Sequence, residues 1–367
     1  MNETVSSLDL HFMIREFQDM IGARIDKVYH KKDELALQLY STVTKKVFLF
    51  FKLPSTTFLI NKKPDTEEIA GGFCMFLRKK LAMGRIEKVE QVGFERIMKI
   101  FIDNKGEKFE LIVELFSPGN FLLVQEGKIL SMQNSLNTKD RVVRGGIEYK
   151  PLIRDFDALN LKEEEIVEVF AKSDKESVVK LLALDLGFGG VYAEEICSVA
   201  KIDKDSKDLS VDEIKKIHKT IKKLNESEIK PVFIQKDVYP FQLKSLDKGE
   251  LLDKSFSRSV GDRLIDRFVS EKIESEKKSQ NKNLKKIESI IEKQKKQIDT
   301  LEKDAEILQK KGELIYENYS SLEELLKTIN DAKKKYSYKE IKEKLKEKEL
   351  IKDLNEKEQS IIIELIK

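Results

Sequence analysis

Arg78, Lys79, Lys80, Arg85 and Lys88 crowd into the stretch Leu77 to Lys88, where the one acid is Glu87. No nucleophile or metal ligand accompanies them. What such a cluster can offer is a fixed positive field, and a phosphate backbone is the partner it suits. A plainer explanation competes: lysines and arginines in the last turn of a helix complement its dipole and stay solvated. On charge alone the solvated end is the commoner case. A second candidate is Leu184-Asp185-Leu186-Gly187-Phe188-Gly189-Gly190-Val191-Tyr192. Apolar–Gly–apolar–Gly between two short helical patterns is the spacing of a helix-hairpin-helix. Gly187, Gly189 and Gly190 permit positive φ and close backbone approach, so the amides opening the next helix could hold a phosphate. A glycine-capped turn that binds nothing fits the same letters. The basic segment 215–224, KKIHKTIKKL, carries the same two readings, and a solvated lysine face is the commoner one.

Other chemistries have little to stand on. Cys74 and Cys197 lie far apart, and His11, His30 and His218 are scattered. Neither a disulfide framework nor a thiolate zinc site is in view, and no cofactor or metal is expected. Lys and Arg number 69 against 66 Asp and Glu, a formal +3 that says nothing global about partners. Any nucleic-acid surface must come from local segregation of charge. With 40% hydrophobic and 37% charged residues, the composition is that of a soluble chain. No run approaches the ~18 apolar residues of a membrane span, and MNETVSSLDL lacks a signal-peptide pattern. A length of 367 residues argues for about two or three domains.

The elements that must carry these residues form a repeat. A helix over 8–20, with Leu10, Met13, Ile14, Phe17 and Ile21 on one face, precedes strands at 22–28, 34–40, 46–52 and 57–60. A helix over 69–82 then precedes strands at 84–89, 96–102, 108–115 and 120–124. RIDKV aligns with RIEKV, and LPSTTFLI with FSPGNFLLV, so a unit of one helix and four strands is duplicated. Alternation such as Lys108-Phe109-Glu110-Leu111-Ile112-Val113 predicts half-buried strands in a two-layer β-sandwich flanked by helices. In the second unit Gly93-Phe94-Glu95-Arg96 closes a hairpin. Past Arg144-Gly145-Gly146 the pattern turns helical, with predicted helices at 162–170 and 175–184.

Pro-punctuated, strand-like chain over 231–243 leads to a long helix launched near Ser257. Its heptads are explicit: Leu284, Ile291, Ile298, Ala305 and Gly312 hold one seam position, and Ile287, Gln294, Leu301, Leu308 and Ile315 the other. Short helices at 321–332, 337–347 and 355–366 are predicted beyond it. The fold class is therefore α+β, divided as a β-sandwich domain (1–153), a helix-hairpin-helix module (154–230), a connector (231–268), a coiled-coil arm (269–318) and a helical bundle at its tip (319–367). With no returning heptad, the chain reads as an N-terminal fragment, and an unpaired seam could associate with a second copy.

SLDLHFMIREFQDMIGARIDKVY, GFCMFLRKKLAMGRIEKVEQVGFERI, ELFSPGNFLLV, RGGIEYKPL and LGFGGVYAEEIC, in that order, resemble the NFACT family of ribosome-associated quality-control tailing factors, also labelled fibronectin-binding-protein-A-like. The resemblance runs from residue 1 to about 313. It implies an N-terminal domain akin to formamidopyrimidine-type DNA glycosylases, the hairpin module, the arm with its middle bundle, and a further RNA-binding part. It also implies a role: binding an obstructed large ribosomal subunit that carries peptidyl-tRNA, and recruiting tRNA, typically alanyl-tRNA, for untemplated C-terminal tailing. It assigns tRNA contact to Asp9 and to an Asp-Arg pair that here is Glu95-Arg96, one methylene longer in the acid. Such an arginine can stack on an unpaired base or fork onto phosphate, and the carboxylates can accept from exocyclic amines. An internal Asp9–Arg96 ion pair is the structural alternative. Arg78, Lys79, Lys80 and Arg85 complete the expected tRNA surface.

Two other classes compare poorly. A DNA glycosylase of the implied fold resembles its kin in an N-terminal Pro-Glu and a four-cysteine zinc finger, whereas this chain begins Met1-Asn2-Glu3 and has no proline before Pro54. Nothing supplies the imino nucleophile. An adhesin, as the older family label suggests, has no signal peptide or disulfide here. The expectation is a cytoplasmic RNA-binding adaptor without chemistry of its own. A general nucleic-acid adaptor of glycosylase-like fold is the fallback.

Overall fold

The computed structural model describes residues 4–42, 45–63, 70–138, 141–337, 340–341, 343, 351–355 and 360–364. Helix α1 (Ser7–Phe17) starts at a capping box: Ser6 Oγ accepts from the Asp9 amide at 3.0 Å, and the Asp9 carboxylate accepts from the Ser6 amide at 2.9 Å. Leu10, Met13, Ile14 and Phe17 form its buried stripe. Strands β1 (Arg24–Lys31), β2 (Glu34–Ser41), β3 (Lys45–Lys52) and β4 (Thr56–Ile60) follow as a meander. Helix α2 (Gly72–Leu81) then leads into β5 (Arg85–Gln91), β6 (Ile97–Asn104), β7 (Glu107–Glu114) and β8 (Asn120–Gln125), the same layout again. β9 (Lys128–Met132) extends it.

The expected duplication has a physical junction. Arg24 lies opposite Arg85, and around that pair the hydrogen bonds come in matched sets. Ile25 N donates to Gly84 O at 2.8 Å and Ile86 N to Ala23 O at 3.0 Å; Met83 N donates to Ile25 O and Gly22 N to Ile86 O. Both strands bulge one residue further on, between Ile25 and Lys27 and between Ile86 and Lys88. Each helix then caps a carbonyl of the other repeat: Gln18 Nε2 donates to Val89 O, and Arg78 Nε to Val28 O, at 3.0 and 2.9 Å. RIDKV and RIEKV match because they fill equivalent places about this pseudo-two-fold seam.

The layering differs from the sandwich expected. All nine strands are hydrogen-bonded in one antiparallel sheet, ordered β4-β3-β2-β1-β5-β6-β7-β8-β9. It folds at the seam, so that Phe51 of β3 meets Phe121 of β8 edge-on, ring centroids 6.1 Å apart. Leu37, Leu49, Leu111 and Leu123 share the core between the halves with α1 and α2. The outer faces are covered too. Phe48, Phe50 and Phe58 pack beneath Leu264, while Ile97, Ile112 and Leu122 pack with Val143. This second covering explains why β4 is buried at every residue instead of alternating.

Short strands β10 (Leu136–Asn137) and β11 (Val142–Val143) precede the helical module. It comprises α3 (Glu163–Lys172), α4 (Val178–Lys180) running into a π-turn over Leu181–Asp185, α5 (Gly190–Ala200) and α6 (Val211–Asn225). The connector is a three-stranded sheet, ordered β13-β12-β14, of β12 (Val232–Ile234), β13 (Asp237–Tyr239) and β14 (Glu250–Leu251). Helix α7 (Phe256–Glu317) follows. Its first amides are capped across the fold: Phe256 N and Ser257 N donate to the two carboxylate oxygens of Glu16, at 2.6 and 2.8 Å.

The chain divides into two compact units, 1–270 and 271–367. In the second, the seam residues Ile291, Ile298, Leu301 and Leu308 of α7 are exposed. α8 (Tyr319–Lys333) comes next. The predicted helix at 337–347 falls mostly outside the described residues. The predicted helix at 355–366 is corrected: β15 (Ile351–Asn355) and β16 (Ser360–Ile363) pair as an antiparallel hairpin. The run Ile361-Ile362-Ile363 is β-branched, stiff at χ1 and better suited to a strand.

Candidate nucleic-acid interface

The turn between β5 and β6 packs against the glycine hairpin. Phe94 and Phe188, both buried, meet at a 51° tilt with ring centroids 4.8 Å apart. Gln91 ties the turn to the start of α1, its Nε2 donating to Ser7 O and to Glu95 O, each at 2.9 Å. Beside this contact lie two cavities that share Thr4, Val5, Ser6 and Gly189 in their walls. The outer cleft, about 490 Å³, is bordered by Glu95, Arg96, Arg154, Leu184 and Gly187. The inner cavity, about 360 Å³, reaches Asp9, Tyr192, Tyr239 and Arg263.

Of the residues singled out in the sequence, Asp9, Glu95, Arg96, Gly187, Gly189 and Gly190 do come together here. The chain turns at Gly187 and Gly189 with φ of 80° and 77°. In the π-turn that precedes them, Leu186 N donates to Leu181 O, five residues back. Gly189 is the N-cap of α5, no side chain caps that helix, and its first turn holds no acid. A helix start left in this state favours anions.

The expected alternative, an Asp9–Arg96 ion pair, is not formed. Asp9 is half-buried and satisfied elsewhere: Ser6 Oγ donates to it at 2.7 Å, and the buried Tyr192 hydroxyl donates to its other oxygen. Burial raises the Asp9 carboxyl above its ordinary pKa, only partly offset by those hydrogen bonds, and drives the Tyr192 phenol well above its own. Glu95 is held by Arg154, whose Nη1 and amide N both donate to Oε1, at 2.6 and 3.1 Å. Arg96 is thereby left, among the described residues, without a carboxylate partner. Partial burial lowers its pKa from the usual arginine value, while the adjacent Glu95 opposes that; a guanidinium still stays charged.

The basic cluster is not part of this site. Arg78, Lys79, Lys80 and Arg85 border neither cavity. Arg85 opens β5 and Glu95 lies beyond its other end, a separation of about 20 Å at ~3.3 Å per residue. Arg78 is spent on the Val28 carbonyl, Lys80 on Glu107 at 3.4 Å and the Phe109 ring, and Arg85 on the Gly22 carbonyl at 3.0 Å. Lys79 is exposed. Arg154 and Tyr192 are not among the site residues that the sequence predicts. Their partners, Glu95 and Asp9, are 59 and 183 residues away, and no local spacing signals such a pairing.

A family described as NFACT N-terminal and middle domains matches residues 6–362. The archaeal Rqc2 homolog aRqcH of Methanocaldococcus jannaschii is 29% identical over 392 residues, an alignment that takes in 100% of this chain and 58% of that protein. The Rqc2 homolog RqcH of Streptococcus pneumoniae serotype 2 is 27% identical over 334 residues, covering 83% of this chain and 56% of its own. The chain thus spans somewhat over half the length of these relatives. Among solved structures, the N-terminal part of the fibronectin/fibrinogen-binding protein from Streptococcus suis superposes with a TM-score of 0.60 at 19% identity, over 72% of this chain and 100% of that one. Likeness at that identity speaks for the fold alone.

Proposed function

The chain belongs to the NFACT family, and from that premise we propose that it is an RNA-binding adaptor of ribosome-associated quality control. Its relatives are named as Rqc2 homologs and ribosome quality control subunits. In this reading the cytoplasmic factor engages a large ribosomal subunit obstructed by peptidyl-tRNA. It recruits tRNA, alanyl-tRNA in the family pattern, so that the stalled chain gains an untemplated tail. The protein contributes binding and placement, and the ribosome makes the peptide bonds. No helix among the described residues is long and apolar enough to cross a membrane.

The observation that carries the RNA-binding part is the Arg96 guanidinium, which borders the same cleft as the glycine hairpin and has no carboxylate partner among the described residues. A partly desolvated guanidinium can fork onto a phosphate or stack on an unpaired base. Leu184 and Phe116 supply apolar wall for such a base. Arg96→Ala is expected to weaken tRNA binding by about 1–3 kcal/mol, with thermal stability within about 0.5 kcal/mol of the parent. Titration of both proteins with tRNA, alongside melting curves, tests this. Unchanged affinity in a folded Arg96→Ala protein would remove Arg96 from the interface.

A further inference from the structure

We propose that Arg154 is the positioning residue of the recognition cleft, holding Glu95 away from Arg96 and fixing the glycine hairpin across from it. This rests on the reading of Arg96 given above. Three observations carry it. The Arg154 amide and Nη1 converge on one oxygen of Glu95, at 3.1 and 2.6 Å. From the same guanidinium, Nη2 donates 3.1 Å to the carbonyl of Leu184, on the hairpin. The guanidinium plane lies flat on Gly187: a Cβ there would sit 2.8, 2.9 and 3.0 Å from Nη1, Cζ and Nη2. Gly187 is favoured by its φ of 80°, and any side chain there would push the Arg154 guanidinium from its place.

One side chain thus spans the cleft wall from the β5–β6 turn to the hairpin. Its fork is suited to the task, because two donors on one rigid plane serve two acceptors at once; a lysine ammonium is a single point on a flexible stem. The consequence for recognition is electrostatic. Glu95 adjoins and attracts Arg96, and without Arg154 that guanidinium is a cation its carboxylate can turn to. Arg96 would then be neutralised by its neighbour and closed to a phosphate or base. Arg154 keeps the reading guanidinium free by occupying its competitor.

The test uses the whole chain, with unfractionated deacylated tRNA as probe and fluorescence anisotropy as readout. Arg154→Ala is expected to weaken binding about tenfold. Adding Glu95→Gln removes the competing charge, and the double variant should recover to within about threefold of the parent. A residue that merely braces the fold would show the rescue in melting temperature and not in the affinity of the folded protein, so both are read on every variant. Should Arg154→Ala fail to fold, Arg154→Lys, alone and with Glu95→Gln, makes the same comparison. Parent-like binding by the Arg154 variant, or a loss that Glu95→Gln leaves in place, overturns the inference. Arg96→Ala run in parallel separates the two ideas: if it binds like the parent, the reading of Arg96 is what fails.

Discussion

Asp9 shows how one side chain can serve the fold and the site in opposite senses. As the third residue of α1 it closes the capping box with Ser6, and its other oxygen takes the Tyr192 hydroxyl from α5. Burial nevertheless raises its folded-state pKa above the ordinary 3.8. Stability from a raised pKa is fully present below about pH 3.8 and is lost as pH rises through the higher folded value. At neutral pH the charged form is therefore held at some cost. Asp9→Asn keeps one acceptor oxygen for Ser6, turns an amide donor toward the Tyr192 hydroxyl oxygen, and removes the titration. Its stability relative to the parent should improve as pH rises from about 3.8 toward 7, which urea unfolding of both proteins at several pH values will measure. Asp9→Ala keeps the Ser6 cap but loses the return half of the capping box and removes the acceptor of the Tyr192 hydroxyl, so about 2 kcal/mol should be lost at any of those pH values. Equal profiles for Asn and parent would mean that the carboxylate is hydrated in solution.

At the scale of elements, α1 is a brace as well as a core helix. Glu16 accepts from the first amides of α7, where the helix dipole is positive. Its neighbour Arg15 donates to Asn225 O and Ser227 O at the end of α6, where it is negative. Adjacent side chains of opposite sign thus hold two helix ends of opposite polarity. Glu16→Ala should cost about 1–3 kcal/mol, because two buried amides lose a charged acceptor. Faster hydrogen exchange at Phe256 and Ser257 than elsewhere in unit 1–270 would locate the loss, and uniform exchange would argue against this brace. None of this was legible beforehand, since the partners lie 240 residues apart. The duplication was legible, because RIDKV and RIEKV occupy equivalent positions about one seam and so kept the same pattern. That the two meanders join into one sheet was not, for strand periodicity reports which face is buried and says nothing about which edge is paired.

Over the whole molecule, the candidate site was legible only where its chemistry is carried by residue type. The glycines of the hairpin and the turn arginine stood out by type, whereas the basic cluster of α2 and β5 stood out by charge and lies outside that site, Arg78, Lys80 and Arg85 being bonded to Val28, Glu107 and Gly22 and Lys79 exposed. The end of the chain misled for a related reason: charged residues every few positions imitate a helical face, while Ile361-Ile362-Ile363 commits the backbone to a strand. The heptads of α7 predict a seam, and Ile291, Ile298 and Leu301 are exposed on a single helix. Burying an apolar side chain of that size yields about 1.5–3 kcal/mol. A seam of them on each of two copies can exceed the several kcal/mol that association costs. The 367-residue chain is therefore expected to dimerise with rising concentration, and Lys at Ile291 and Ile298 should make it monomeric. Because those side chains are exposed in the single chain, its melting at low concentration should move by no more than about 0.5 kcal/mol. Gln294 gives the opposite control. It is a polar residue in the middle of the seam, tolerated at a cost in pairing strength, and Gln294→Leu should tighten the dimer. Sedimentation equilibrium on the three proteins decides it: a parent that stays monomeric, with Gln294→Leu no different, would show that this face does not pair with a copy of itself.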